Sequence, residues 1–474
     1  MRQNARKQGG RRAWKIRRTG ARTARAARRK SAGARSAARL AGRRALRWRR
    51  EFDRGYSDGY RKGIQAGIEG FGTYFDGTSI VIPTYNQLGF LRSCIDSIVR
   101  HTSVPYEIIV VDNASTDGTE AFANKLAGKI RYRRLDANRG FAGAVNTGLM
   151  MARGTTIVVL NNDTLVTENW LSNMLACLNS DERIGMVGPV TNMISFDKQR
   201  VAAPYLHIRD LGKFAARHNQ PDPSRWMPAE RLIGFCLLFR RKLLEDIGYF
   251  DEGYEIGNFE DDDYSIRVRL LGRQLMIARD TFIHHFGSVS IRSLGDQIAQ
   301  INRHNETYYS EKWVRPHELI QRVYRHELFH RHGGTLPDMR LLYPERVAVR
   351  GIGPTVYWIE DGVRRPVAGA ITFPPVRVSQ VDLRRWPMAE PIHADEVEIR
   401  WRGLNEQTGA SVAVLPDGSY FHLEGNSYRR IIGHVALQAW NLHLKPQVAL
   451  SPEQLARRWE GLPIIAPPQC RQQL

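Results

Sequence analysis

The sequence predicts an α/β protein centred on a mostly parallel sheet with helices on both faces. Three observations predict it. Apolar runs of strand length alternate with amphipathic segments from Thr78 to Leu160, the pattern of successive βα units. Three of those runs end in polar clusters, Thr84-Tyr85-Asn86, Asp112-Asn113 and Asn162-Asp163, at the carboxyl edge where such sheets collect ligands. The excess charge is confined to one end. Of a net +22, residues 1–50 hold 20 Lys and Arg with no acid, and the other 424 residues hold 50 basic and 48 acidic side chains.

Residues 1–50 are rich in Arg, Ala and Gly, with Trp14 and Trp48 their only aromatics. Such a segment cannot bury enough apolar surface to fold, so a basic disordered tail is expected. Its charge suits an anionic surface or polymer, whether membrane, nucleic acid or envelope polymer. It carries no base-reading motif, which argues against sequence-specific nucleic-acid binding. Residues 51–76 repeat Gly and Tyr near every fourth position (Gly55, Tyr56, Gly59, Tyr60, Gly63), as in a helical linker.

The next region, 77–335, reads as one α/β domain. Strands are expected at Thr78–Pro83, Glu107–Val111, Ile130–Leu135 and Thr156–Leu160, and helices at Leu88–His101, Thr119–Ala127 and Phe141–Arg153. Helix is expected again from Leu294 to about His330. From 341 to 474 the texture becomes β-rich. There Val356–Val367 and Ser419–Ile432 read alike: an aromatic strand, a turn with Glu and Gly, then a strand with paired arginines. A hairpin module in two copies is expected. Its aromatics and arginines are hairpin core and edge, or else they bind a glycan or a partner protein.

No apolar run approaches the roughly 18 residues of a membrane helix, and no apolar stretch follows the basic N-terminus as a secretory signal requires. Cys94, Cys177, Cys236 and Cys470 have neither metal nor disulfide spacing. The first three sit in apolar patterns and read as core thiols. A cytoplasmic protein is expected, at most peripheral to the inner membrane face or envelope.

The densest chemistry lies at Glu260-Asp261-Asp262-Asp263, followed by Ile283-His284-His285-Phe286-Gly287. Four adjacent carboxylates repel one another unless a helix N-terminus steadies them. They open a segment expected to be amphipathic, with Ile266, Val268, Leu270 and Leu271 against Arg267, Arg269 and Arg273. Acids with histidines downstream suggest a general base beside a divalent metal. A capped surface helix and a core histidine are the plainer alternative.

Five segments stand in a telling order: Ser79–Asn86, Ile109–Thr119, Asn138–Gly148, Asn161–Thr164 and Phe259–Asp263. Together they resemble the family-2 glycosyltransferases of the GT-A nucleotide-diphospho-sugar transferase fold, particularly the rhamnosyltransferase-like branch, from Thr78 to about Ser290. The resemblance implies inverting, metal-dependent transfer of a sugar from a nucleotide-diphosphate donor to a hydroxyl of a glycan or glycoconjugate. Cell-surface or envelope polysaccharide synthesis is the implied setting. It makes Asp261 the general base, with Glu260 beside it. It gives Pro83, Thr84, Tyr85, Asp112, Asn113, Asn138, Gly140, Asn146 and Asn162 to the nucleotide sugar. Asp163 and His284 would hold Mn²⁺ or Mg²⁺, with His285 as the alternative ligand. Gly234-Phe235-Cys236 would line the acceptor side. Asn161 departs from the family's DXD pattern, which leaves one carboxylate there. Asp112 accepts from a pyrimidine N3–H, caps the following turn, or does both. Crowding should raise the proton affinity of Asp261, with Asp263 orienting the loop or capping the helix. Two other readings are a nucleotidyltransferase, whose Gly- and Lys-rich loop is missing from Thr84–Gly89, and a non-catalytic envelope-binding protein on a degenerate transferase scaffold.

Overall fold

The computed structural model describes residues 73–194, 196–287, 297–403 and 411–471. The expected tail and nearly all of the expected linker lie outside these residues. Tyr74 onward forms one compact unit.

Its main sheet contains β1 (Phe75–Thr84), β2 (Tyr106–Asp112), β3 (Arg131–Arg134), β4 (Gly154–Leu160), β6 (Ile184–Val190), β7 (Trp226–Ala229), β8 (Cys236–Arg240) and β9 (Gln274–Phe282). A separate ribbon pairs β5 (Thr164–Leu165) with β10 (His284–His285). The main order is β3-β2-β1-β4-β8-β6-β9-β7. Neighbours β3-β2-β1-β4 and β6-β9 are parallel, whereas β8 and β7 run antiparallel to theirs.

The central strands are apolar throughout because both faces are covered, as in parallel sheets generally. Their two-residue period still sorts the side chains. Val81, Ile109, Val111, Ile157 and Val159 enter one core, and Ile80, Ile82, Ile108, Val110, Val158 and Leu160 enter the other. Helix α1 (Leu88–His101) and α4 (Trp170–Asn179) cover the second face through Leu91, Cys94, Trp170 and Met174. Between them in sequence, α2 (Thr119–Lys125) is short and α3 (Gly140–Met151) covers the first face through Val145 and Leu149. Cys94, Cys177 and Cys236 are buried free thiols.

Further along come α5 (Leu211–His218), α6 (Arg241–Ile247), α7 (Glu260–Leu270), α8 (Gln297–Trp313) and α9 (Pro316–Arg325). The α7 segment departs from expectation. It is buried nearly all round, Arg267 included, because α6, α9 and β9 pack about it. Arg267 is tolerated there through hydrogen bonds to Asp263 Oδ1 at 2.9 Å and Ile247 O at 2.8 Å.

Downstream, two five-stranded sheets have one plan. In the first, β11 (Val347–Arg350), β12 (Val356–Glu360) and β13 (Val363–Ala368) form a meander, with β14 (Val376–Arg377) and β15 (Ile392–His393) parallel at its edges. In the second, β16 (Val412–Val414), β17 (Tyr420–Glu424) and β18 (Ser427–Arg430) repeat this, with β19 (Gln447–Ala449) and β20 (Trp459–Glu460) at the edges. One arginine of each pair acts internally: Arg429 donates to Leu462 O at 2.7 Å and Tyr343 O at 2.8 Å, and Arg364 to Leu383 O at 2.8 Å. No break falls at the expected boundary near 335–341. Leu336, Met339, Leu342 and Tyr343 lie in the core that also holds Trp313, Trp358 and Trp440. Among the described residues no helix is long and apolar enough to cross a membrane.

Candidate active site

The carboxyl ends of β1, β2 and β4, the N-terminus of α7 and the β5–β10 ribbon meet around one cleft. It brings together Pro83, Thr84, Tyr85, Asn113, Asn138, Gly140, Asn162, Asp163, Glu260 and Asp261 from five separate stretches of chain, and it adds Ile233, Gly234, Ile256 and His285.

Short side chains at the strand ends brace one another. Thr84 Oγ1 accepts from Asn162 Nδ2 at 2.8 Å. Asn113 accepts from Arg139 N at 3.1 Å and donates to Gly140 O at 3.0 Å. Asn138 Oδ1 accepts from Gly140 N at 3.0 Å. Gly140 sits at φ +70°, and a Cβ there would lie 2.9 Å from Ile256 N, so glycine is needed for both conformation and space.

Three expected residues are placed elsewhere. Asp112 is fully buried, accepting from Ser115 N at 2.8 Å and from Tyr132 Oη at 2.7 Å. The bond from Ser115 N makes the expected turn cap. Asn146 is also fully buried: it donates to Phe250 O at 2.9 Å and Glu252 Oε1 at 2.8 Å and accepts from Phe250 N at 2.9 Å. Its position on α3 turns it toward the 250–252 backbone rather than the cleft. His284 is the third. β10 pairs His285 with Thr164 and His284 with Leu165, and neighbouring strand residues point to opposite faces. His285 enters the cleft, with Nε2 3.2 Å from Asp163 Oδ1. His284 turns away to Tyr205 Oη at 2.6 Å, and burial pushes its pKa down to about 4.

The four acids fall into two environments. Asp261 accepts from Gly234 N and Asp262 N, each at 2.9 Å. Glu260 Oε2 is buried without a hydrogen bond. Burial, and next the neighbouring Asp261 charge, hold Glu260 well above the usual carboxylate range, and burial raises Asp261. Burial and Asp261 push Asp262 up to about 7, against Arg231 at 2.9 Å. Asp263 behaves oppositely. Burial alone would raise it, but Lys312 at 2.6 Å and Arg267 at 2.9 Å hold it below its ordinary value, and Trp313 Nε1 donates at 3.0 Å. Lys312 also reaches Asp251 Oδ2 at 2.5 Å.

Just before α7 the backbone is strained. Ile256, Asn258 and Phe259 take φ values of +57°, +80° and +74°, a region costly for side chains with a Cβ. Asn305 on α8 clamps this loop, donating to Glu255 O and Gly257 O at 2.9 Å and accepting from Glu255 N at 2.9 Å. An asparagine within a helical segment gave no sequence signal for that role. Lys312 was equally silent.

The fit of a metal rests on two groups. Among the described residues, no three His, Cys, Asp or Glu side chains form a ready-made metal site. His285 Nε2, however, is buried with no hydrogen-bond partner beside the Asp163 carboxylate. An imidazole and a carboxylate suit a divalent cation that takes its other ligands from a diphosphate.

A parallel half-sheet extended by antiparallel strands, with its cleft at the strand carboxyl ends, defines the GT-A fold class. Residues 79–248 match the family model described as Glycosyl transferase family 2. A "PGL/p-HBAD biosynthesis glycosyltransferase" of Mycobacterium tuberculosis is 34% identical over 193 residues, covering 40% of this chain and 68% of that protein. The "Succinoglycan biosynthesis protein ExoO" of Rhizobium meliloti is 30% identical over 230 residues, covering 45% of this chain and 62% of that protein. A solved mannosyltransferase from Pyrobaculum calidifontis, in complex with GDP-Man and Mn²⁺, overlays with a TM-score of 0.35 at 21% identity, covering 56% of this chain and 77% of that one. The chain belongs to glycosyl transferase family 2.

Proposed function

We propose that the cleft catalyses inverting, metal-dependent transfer of a sugar from a nucleoside-diphosphate donor to a hydroxyl of a glycan or glycoconjugate. One observation carries this reading: the pair Glu260–Asp261, whose proton affinities burial raises, shares a cleft with the Asp163–His285 pair. Asp261, fixed by the Gly234 N–H, accepts the proton of the attacking hydroxyl, a poor nucleophile without such a base. Its raised proton affinity fits that task. Thr84, Asn113, Asn138, Gly140 and Asn162 hold the nucleotide, and Asp112 and Asn146 support them from behind. Asp163 and His285 would hold Mn²⁺ or Mg²⁺, which when bound neutralises charge on the diphosphate leaving group. One carboxylate base acting opposite the leaving group gives inversion. The two bacterial relatives are named for PGL/p-HBAD and succinoglycan biosynthesis, which supports polysaccharide or glycoconjugate synthesis as the setting.

The test is a panel of nucleotide sugars with Mn²⁺. The wild type is expected to release nucleoside diphosphate, and Asp261→Asn to fold normally and release little. Full activity in Asp261→Asn contradicts the assignment. Release of pyrophosphate from a nucleoside triphosphate and a sugar 1-phosphate, with none of nucleoside diphosphate from the panel, marks a nucleotidyltransferase, and binding without either release marks a non-catalytic protein.

A further inference from the structure

The carboxylate of Asp261 is steadied by a loop. Residues 231–234 lie between β7 and β8 and belong to no helix or strand, yet Gly234 supplies the N–H that Asp261 Oδ2 accepts at 2.9 Å. A Cβ on Gly234 would lie 3.3 Å from Asp261 Cβ, so the two segments are already in close approach. A shift of about 1 Å would break the bond. Whatever holds the loop therefore also holds the carboxylate.

Three consecutive N–H groups of the loop donate to side chains. Leu232 N reaches Ser265 Oγ at 3.3 Å, Ile233 N reaches Gln199 Oε1 at 2.9 Å, and Gly234 N reaches Asp261. Ser265 and Asp261 both stand on α7. Gln199 comes from elsewhere and is fully buried. Its Nε2 donates to Pro189 O on β6 at 2.9 Å, and its backbone carbonyl accepts from Thr191 N at 2.8 Å. The amide is seated against Gly188, where a Cβ would come within 2.8 Å of Nε2. With nitrogen and backbone anchored at the end of β6, Oε1 is left to reach Ile233. Glutamine can donate to one backbone and accept from another without carrying a charge into the interior.

Resting on the transferase reading, we propose that Gln199 is a positioning residue for the base: it ties the loop to β6, so that the Gly234 N–H stays on Asp261 as the attacking hydroxyl approaches. Gln199 itself does not line the cleft. Its loss should act on rate and on proton affinity together. Accepting the Gly234 N–H favours the ionised carboxylate; without that bond Asp261 keeps its proton to higher pH, and the acid limb of kcat moves upward. The charged groups about Asp261 are Glu260, Asp262 and Asp263 on α7, Arg231 on the loop, and Asp163 and His285 in the shared cleft. Behind them Arg267, Tyr309 and Lys312 face Asp262 or Asp263. Gln199→Met exchanges one neutral side chain for another of similar length and leaves all of these in place, so a moved limb reports the loop.

The test measures nucleoside-diphosphate release by the full chain, with Mn²⁺ and the nucleotide sugar that the wild type accepts, from about pH 5 to 9. Gln199→Met should lower kcat roughly ten- to hundredfold, leave the donor KM unchanged and shift the acid limb to higher pH. Gln199→Asn, one methylene short of Ile233, should give the same pattern and serves if the Met variant does not fold. Hydrogen exchange on the wild type needs no variant: the Ile233 and Gly234 amides should both be protected. Wild-type kcat and limb in the folded variant, a fall in kcat with the limb unmoved, or an Ile233 amide exchanging at the rate of an open loop each overturns the assignment. If the wild type releases no nucleoside diphosphate, the transferase reading fails and the role falls with it. If it does release and the variants behave as wild type, only the positioning role falls.

Discussion

Two faces of one helical turn show how this site is made. Glu260 and Asp261 face the cleft, and among the described residues neither forms an ion pair; burial raises both, offset at Asp261 by the Gly234 N–H and the Arg231 charge. Two residues on, Asp263 faces the interior, where Lys312 and Arg267 hold it ionised. All four acids are close in chemistry and adjacent in sequence. The difference lies in what the rest of the fold supplies: cations to the inner face, a backbone N–H and open space to the outer one. Environment, more than residue type, separates a base from a brace.

The largest effect should come from the outer face. Asp261→Asn should lower sugar transfer by roughly 10²- to 10⁴-fold with the urea midpoint unchanged; a variant with near-normal turnover would erase the distinction between the faces. The inner face should answer in stability. Lys312→Met leaves Asp251 and Asp263 buried without their shared ammonium, a loss of about 3–5 kcal/mol in urea unfolding. Combining it with Asp263→Asn should recover part of that loss. If Lys312→Met unfolds at the wild-type urea concentration, the brace is unnecessary.

A smaller effect is expected at the loop that joins the faces. Asn305→Ala removes the clamp on Glu255 and Gly257 and should cost about 1–3 kcal/mol, with faster amide exchange at 255–259. Exchange indistinguishable from wild type would show that the strained loop holds itself.

The pH profile sharpens the comparison last. Asp262 has a folded pKa of about 7, above its unfolded value near 4. The folded state therefore keeps a proton that the unfolded state has lost, and stability falls as pH rises between those values. Asp263 has the opposite sign, since its folded pKa is lowered. Its contribution is present above the unfolded value and is lost as pH falls through the folded one. Asp262→Asn should make the decline between about pH 4 and 7 shallower, leaving the share of Glu260 and Asp261, which burial also raises, and keep the acid limb in place. A decline undiminished by the substitution would assign it to those groups alone.

Much of this was legible in the chain. Strand-length apolar runs fixed β1, β2 and β4, because a strand covered on both faces has little choice but Ile, Val and Leu. The polar residues that ended those runs marked the cleft edge. What stayed hidden depended on pairing over long separations. His284 and His285 cannot be ranked until the register of β10 against β5 is known, since a one-residue slip exchanges their faces. Asn146 reads as a ligand only while the 250–252 backbone behind α3 is ignored. The α7 stripe pattern failed because α9, more than forty residues downstream, covers what would have been its solvent face. The antiparallel insertion of β8 between β4 and β6 likewise leaves no periodic trace.

The most direct test is a crystal structure with a nucleoside diphosphate and Mn²⁺, located by its anomalous signal. The account predicts one manganese peak bridging Asp163, His285 Nε2 and the diphosphate, with ligand distances of about 2.0–2.5 Å and Asp261 open to the same cleft. A peak on His284, or a diphosphate bound away from Asp163, would contradict it.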